Sequence, residues 1–254
     1  MDANPRHGTE VRRLPEAMRR WPGSQEINNT AHNYIYNDDL SFFEILSMEP
    51  GRAKAFMDSM TYFTSNPMFN PKYILEYDWS RHTNETVVDI RGSQGQVALE
   101  IAKKHPDIRI IVEDRPEIIE LAPKDAPSNV SFLEHDFFRP KPVQGTDVYL
   151  LRWIIHDWPE KFAIKILQAL KPVLKAGTRI IVMNAIIPEK GVLTPYQERP
   201  SRDFEIIMKL AFNARERYES EWKQLVTDAL GEDNFRHPEI IRPVGSQLKL
   251  LVIE

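Results

Sequence analysis

The stretch Thr86-Val87-Val88-Asp89-Ile90-Arg91-Gly92-Ser93-Gln94-Gly95 decides the fold: a β-rich run closes on an acid, and two glycines follow before an amphipathic segment opens at Val97. A strand over Thr86 to Ile90 and a helix over Val97 to Lys104 make a βα unit, and glycine in its turn lets backbone approach a ligand closely. The next strand, Ile108 to Glu113, closes on the acidic pair Glu113 and Asp114, about two dozen residues beyond Asp89. In doubly wound sheets the ligand lies past the carboxyl ends of the strands, and an acid at that spacing takes ribose hydroxyls. Spacing alone equally admits an ordinary βα turn followed by an acidic strand end.

Outward from this unit, β-rich runs keep alternating with amphipathic segments, the pattern of an α/β fold with a doubly wound, Rossmann-like parallel sheet. Further strands are expected at Val130 to His135, Val148 to Ile155 and Arg179 to Ile187, with helices at Pro116 to Leu121, Pro159 to Lys175 and Asp203 to Asn213. After a helix at Glu219 to Leu230, the runs Glu239 to Arg242 and Gln247 to Ile253 flank Gly245 and Ser246, which predicts an antiparallel C-terminal hairpin. Upstream, Phe42, Phe43, Ile45 and Leu46, then Ala53, Phe56, Met57, Met60 and Phe63, recur at helical spacing around Pro50 and Gly51, as in two packed helices. The expected organisation is a loosely ordered arm over 1–39, punctuated by Pro5, Pro15 and Pro22, a short helical segment over 40–80, and the ligand-binding domain over 81–254.

Composition removes several classes of function. Among 254 residues, 33 Lys and Arg face 37 Asp and Glu for a net charge of -4, so no cationic surplus is available to neutralise nucleic acid. The chain has no cysteine, which excludes disulfides, thiolate zinc sites and a cysteine nucleophile and suits a reducing compartment; a cytoplasmic location is expected. Apolar runs fall far short of the ~18 residues of a membrane span, and Met1 to Pro15 lacks the apolar core of a signal peptide, so no membrane partner is expected. No spacing of His, Asp and Glu stands out as a metal site. Arg91-Gly92-Ser93-Gln94-Gly95 is superficially like a nucleophile elbow, yet Arg91 stands where that turn needs glycine.

A set of ordered segments resembles the plant and fungal O-methyltransferases of the caffeic-acid type, in the fungal secondary-metabolite branch. Trp21-Pro22-Gly23-Ser24-Gln25-Glu26 and Leu40-Ser41-Phe42-Phe43-Glu44 are similar to the linker and first helix ahead of the catalytic domain. Val87 to Gly95 resembles the glycine loop, Val112-Glu113-Asp114-Arg115-Pro116-Glu117 the second-strand motif, and His135-Asp136-Phe137-Phe138 the adenine-contacting segment. Arg152-Trp153-Ile154-Ile155-His156-Asp157-Trp158-Pro159 resembles the most specific motif, and Asn213-Ala214-Arg215-Glu216-Arg217 with Glu221-Trp222 completes the series.

The resemblance implies a site for S-adenosyl-L-methionine. Asp114 would hold the ribose hydroxyls and Asp136 and Phe137 would flank the adenine. The loop of Asp89, Arg91, Gly92 and Gly95 would face the methionine portion, with Arg152 among the cofactor-binding residues. It implies His156 as general base, with Glu216 and Asn184 completing the catalytic set. A phenol near pKa 10 stays protonated at pH 7, and an imidazole near 6.5 can take its proton as the oxygen attacks the methyl group. The acceptor would be a hydroxyl of a small aromatic or polyketide metabolite, and the assembly a homodimer or a pairing with a full-length methyltransferase.

Three departures bear on that activity. The family's loop has glycine where this chain has Arg91, so a side chain fills space beside the ligand, at a cost of about 1 to 2 kcal/mol if the backbone there is left-handed. A guanidinium at that place could instead pair with the methionine carboxylate. The acid that orients the base at the end of the fifth strand is Asn184, an amide that can hold a tautomer without stabilising the imidazolium by charge. Most of the N-terminal domain of relatives is absent, so the stripe of Phe42, Phe43, Phe56 and Phe63 is expected to form an exposed apolar patch. Two further readings stay open: a non-methylating cyclase or pericyclase on the same fold, and a truncated, inactive partner subunit. The acceptor, the position methylated and the oligomeric state are not written in the sequence.

Overall fold

A computed structural model describes residues 5–231 and 239–254. In chain order its elements are α1 (Pro5–Arg20), α2 (Ala31–Tyr36), α3 (Phe42–Met48), α4 (Pro50–Ser65), β1 (Thr86–Ile90), α5 (Gln96–Lys104), β2 (Arg109–Asp114), α6 (Pro116–Ile119) and β3 (Val130–Glu134). There follow β4 (Val148–Arg152), α7 (Glu160–Gln168), β5 (Arg179–Ile187), α8 (Pro195–Phe212), β6 (Arg217–Tyr218), α9 (Glu219–Leu230), β7 (Glu239–Ile241) and β8 (Leu248–Ile253). The sheet runs β3-β2-β1-β4-β5-β8-β7. Its first five strands are parallel and β8 and β7 antiparallel, as the doubly wound reading with a terminal hairpin expects.

By packing, the chain falls into two compact units interleaved along the sequence. One comprises residues 63–155, 164–185 and 221–254, and holds the parallel sheet up to Ala185 with the hairpin. Val87, Val88, Ile110, Val112, Val148, Leu150, Ile180 and Leu250 have no more than 1% of their surface exposed. Near-continuous β-branched and leucine runs suit parallel strands covered on both faces.

The other unit comprises residues 1–62, 156–163 and 186–220. Here β6 pairs with the end of β5, Ile186 opposite Arg217 and Ile187 opposite Tyr218. The arm over 1–39, expected to be loosely ordered, carries α1 and α2. Pro15 lies inside α1 without ending it, in a stretch rich in Arg with Glu10, Leu14, Glu16, Ala17 and Met18, which are strong helix formers. Thr30 caps α2 reciprocally with Asn33, and Ser41 caps α3 with Glu44. The stripe expected to be an exposed patch is half-buried instead. Phe42 packs on Phe212 at 4.8 Å between ring centroids, and Phe43 stacks on Trp158 at 5.9 Å. Met57 and Tyr62 are exposed large apolar residues on α4.

Other boundaries move for identifiable reasons. Helix α8 starts at Pro195, about two turns before Asp203, because Thr194 and Gln197 form a capping box with proline at the first helical position. Helix α7 stops at Gln168, short of Lys175, and a 3₁₀ turn takes in Lys171–Val173 around Pro172. Strand β4 ends at Arg152 rather than Ile155, because Trp153 adopts φ +54° and turns the chain. Among the described residues no helix is long and apolar enough to cross a membrane.

Candidate active site

Within the sheet-bearing unit, the loop after β1 keeps the backbone of a glycine loop with a glycine at one of its three left-handed positions. Arg91 has φ +57°, Ser93 φ +55° and Gly95 φ +77°. Left-handed backbone costs a side-chain-bearing residue about 1 to 2 kcal/mol, so this conformation is imposed by the surroundings rather than preferred by the residues. Those surroundings are tight at Gly92, where an added Cβ would stand 2.5 Å from Asp89 Oδ2 and 2.8 Å from Val112 Cγ1. Gly95 starts α5, and there a Cβ would meet the Phe132 ring at 3.2 Å.

The acidic pair closing β2 splits because successive strand side chains point to opposite faces. Glu113 forms a buried ion pair with Lys141 at 2.8 Å. Asp114 faces the loop and is crowded with donors: Oδ1 accepts from Arg91 Nη1 at 2.9 Å and the Arg115 amide at 2.8 Å, and Oδ2 accepts from the Ser93 amide at 2.9 Å. The same guanidinium lies over Phe137, with its carbon 5.1 Å from the ring centroid. Phe137 is buried, whereas Asp136 is exposed and spends its carboxylate on its own turn, accepting from the Phe138 amide at 3.0 Å. The structure therefore brings Arg91, Asp114 and Phe137 together and leaves Asp136 outside that contact.

Asp89 and Arg152 form a second, unfinished pair. Asp89 is 2% exposed and its Oδ2 has no hydrogen-bond partner; Arg152 is held by the Phe69 carbonyl at 2.7 Å, while its Nε is buried without a partner. Burial pushes the Asp89 carboxyl up to about 7, partly opposed by Arg152 and reinforced by Asp114. Burial likewise lowers Arg152 to about 10, against the pull of Asp89, which still leaves it cationic at neutral pH. An orphaned acid and an orphaned guanidinium N–H complement a ligand carrying both an ammonium and a carboxylate. Asn184, on β5, is 1% exposed, and neither atom of its amide has a hydrogen-bond partner.

In the other unit, His156 is buried between two carboxylates. Its Nδ1 is 2.7 Å from Glu216 Oε1 and its Nε2 is 3.4 Å from Asp157 Oδ1. Burial lowers the imidazole pKa, but Glu216 and Asp157 together outweigh it and leave the value above the ordinary range. Next to Glu216 in sequence, the fully buried Arg217 donates to Glu160 Oε2 at 2.9 Å and to the Trp158 carbonyl at 3.2 Å. The side chain on His156 Nδ1 is thus Glu216, one of the residues expected in the catalytic set. Asp157, absent from that expected set, is the second partner of His156, and adjacency in the His-Asp pair was the available signal. An aromatic niche of Phe42, Phe43, Trp158 and Phe212 lies beside Asp157, with room for about one water molecule.

A family model described as an O-methyltransferase domain matches residues 22–231. The O-methyltransferase kk1A of Curvularia clavata is 34% identical over 244 residues, covering 95% of this chain and 57% of that protein. The chain thus spans little more than half the length of such curated relatives. Among solved structures, a single-residue variant of LepI in complex with SAH and a substrate analogue superposes with a TM-score of 0.77 at 24% identity, covering 97% of this chain and 64% of LepI. A structure described as a pericyclic reaction enzyme gives a TM-score of 0.74, also at 24% identity, with the same shares covered. At that identity the likeness shows the fold alone.

Proposed function

The chain belongs to the O-methyltransferase family, and we propose that it transfers a methyl group from S-adenosyl-L-methionine to a hydroxyl of a small aromatic or polyketide metabolite, with His156 as general base. The observation that carries this reading is the pairing of His156 Nδ1 with Glu216 at 2.7 Å, in a chain whose family performs a reaction that needs a base. Glu216 holds the ring in the tautomer that leaves Nε2 able to accept a proton, and its charge stabilises the imidazolium once the proton has arrived. The acceptor hydroxyl gives its proton to Nε2 as its oxygen becomes nucleophilic.

The chain's residues fit the cofactor in large part. When bound, S-adenosylmethionine supplies an electrophilic methyl group on a sulfonium. Asp89 would take its ammonium group and Arg152 its carboxylate, since both have an unpartnered buried polar atom. Gly92 keeps space open against Asp89 and Val112, Asp114 would accept from the ribose hydroxyls, and Phe137 offers an aromatic face to the adenine. Calorimetric titration with the cofactor tests this reading, and absence of heat at millimolar ligand would remove it.

A second reading, a non-methylating cyclase or pericyclase, draws support from Arg91, which already engages Asp114 and Phe137. One fold can host unrelated chemistries. Incubating the protein with candidate polyketides in the absence of cofactor separates the two: a rearranged, unmethylated product favours this reading, and strict cofactor dependence removes it.

A further inference from the structure

We propose that Arg91 is a built-in occupant of the adenosine half of the cofactor site, a latch whose guanidinium must leave Asp114 and Phe137 before an adenosyl ligand can bind. The proposal rests on S-adenosylmethionine being the cofactor. Two contacts of different chemistry carry it. Arg91 Nη1 donates to Asp114 Oδ1 at 2.9 Å, where a ribose hydroxyl would donate, and the guanidinium carbon lies 5.1 Å from the centroid of Phe137, the ring expected to flank the adenine. A planar cation over a ring with an edge N–H on a carboxylate reproduces in miniature what a purine nucleoside offers.

Counting acceptor sites makes the exclusion specific. A carboxylate oxygen accepts about two hydrogen bonds. Oδ1 of Asp114 already has two donors, Arg91 Nη1 and the Arg115 amide, whereas Oδ2 has the Ser93 amide alone. A ribose diol needs one open place on each oxygen. The Ser93 and Arg115 amides are backbone, one in the loop after β1 and one in the turn after β2, so Arg91 is the donor that can withdraw. Its side chain is 15% exposed, so the guanidinium borders solvent. The guanidinium meanwhile stays away from the amino-acid half, where Arg152 carries an unpartnered Nε, so it is not stationed as a ligand for the methionine carboxylate. If only the unlatched fraction binds, the apparent affinity falls by that fraction.

The test is calorimetric titration of the full chain, as wild type and as Arg91→Ala, with S-adenosylhomocysteine, adenosine and methionine. The latch requires Arg91→Ala to bind S-adenosylhomocysteine and adenosine at least about tenfold more tightly, with methionine affinity unchanged, because the gain belongs to the adenosine half. Binding to the wild type that the substitution leaves unchanged or weakens overturns the latch while the cofactor reading stands. No binding to either protein at millimolar ligand removes both. Circular dichroism checks the fold of the variant. Should alanine unsettle the loop, Arg91→Lys gives the same reading: an ammonium keeps the charge but loses the planar face, so its affinity falls between the other two, and an affinity equal to wild type overturns the proposal.

Discussion

The His156 centre and the Asp114 loop are both crowded with charge, yet their partners do opposite things. Around His156, two carboxylates raise the proton affinity of the imidazole, as the proposed general base requires. Around Asp114, a cation takes acceptor places that the proposed cofactor would use. On that reading the first arrangement prepares a residue for chemistry, and the second satisfies one in advance of any ligand. A sequence motif thus fixes backbone shape more firmly than occupancy: the loop keeps its left-handed turns with Arg91 and Ser93 in place of glycines, while the added side chain changes what fills the space.

The largest effect belongs to the prepared centre. His156→Ala removes the proposed base, and general-base catalysis contributes about 100- to 10,000-fold, so kcat with a phenolic acceptor is expected to fall by that order while cofactor affinity stays within about twofold. A variant retaining full kcat would place the base elsewhere.

The loop side is probed next through stability. Asp89 rises from an ordinary value of 3.8 to about 7 in the folded chain, mainly through burial. Between those values the folded state holds a proton that the unfolded state has released, so stability falls as pH rises from about 4 to about 7 and levels off above. Asp89→Asn removes that decline. Relative to wild type, the variant is expected to gain a few kcal/mol on going from pH 4 to pH 8 in chemical denaturation, and parallel pH curves for the two proteins would show that Asp89 is not the group responsible.

Glu216→Gln separates orientation from charge at the prepared centre. The wild-type rate should rise with pH through a value above the ~6.5 of free imidazole, because the base works when deprotonated and its pKa is raised. With glutamine one carboxylate is gone and burial counts for more, so the acid limb moves down in pH while kcat falls by about tenfold. A merely structural Glu216 would lower the rate without moving the limb.

Reading the sequence located most of this molecule because its signals were local. Strands β1 and β5 and the terminal hairpin were legible from β-branched runs bounded by glycine, and α9 from its apolar spacing. Helix α1 was hidden by its prolines, and the first turns of α8 by Pro200 and by the polar run from Gln197 to Asp203. The position of Asp114 at the end of β2, facing the loop after β1, was legible from a strand end and a glycine turn, whereas its ligand role came only from the family resemblance. The hold of Arg91 on Asp114 was not legible, since it depends on a rotamer and on Phe137, which lies 46 residues further along the chain. Trp153 gave no warning either, because nothing in its composition marks a left-handed turn.

The smallest effect decides whether Asn184 belongs to the prepared centre at all. Its amide is buried on β5 with neither atom hydrogen-bonded, and an unsatisfied buried polar group costs about 1 to 3 kcal/mol. Asn184→Leu keeps the approximate volume and removes the unpaired group, so stability is expected to rise by about 1 kcal/mol, read as a higher denaturant midpoint at constant slope. Because Glu216 already orients His156, the rate should change by less than about threefold. The two readouts bear on different links: a stability gain with an unchanged rate makes Asn184 a packing residue that replaces a charge without inheriting its role. A rate loss of tenfold or more, alongside the same stability gain, would make the amide a positioning group that is engaged only when substrate is bound, and the division of labour at His156 would have to be redrawn to include it.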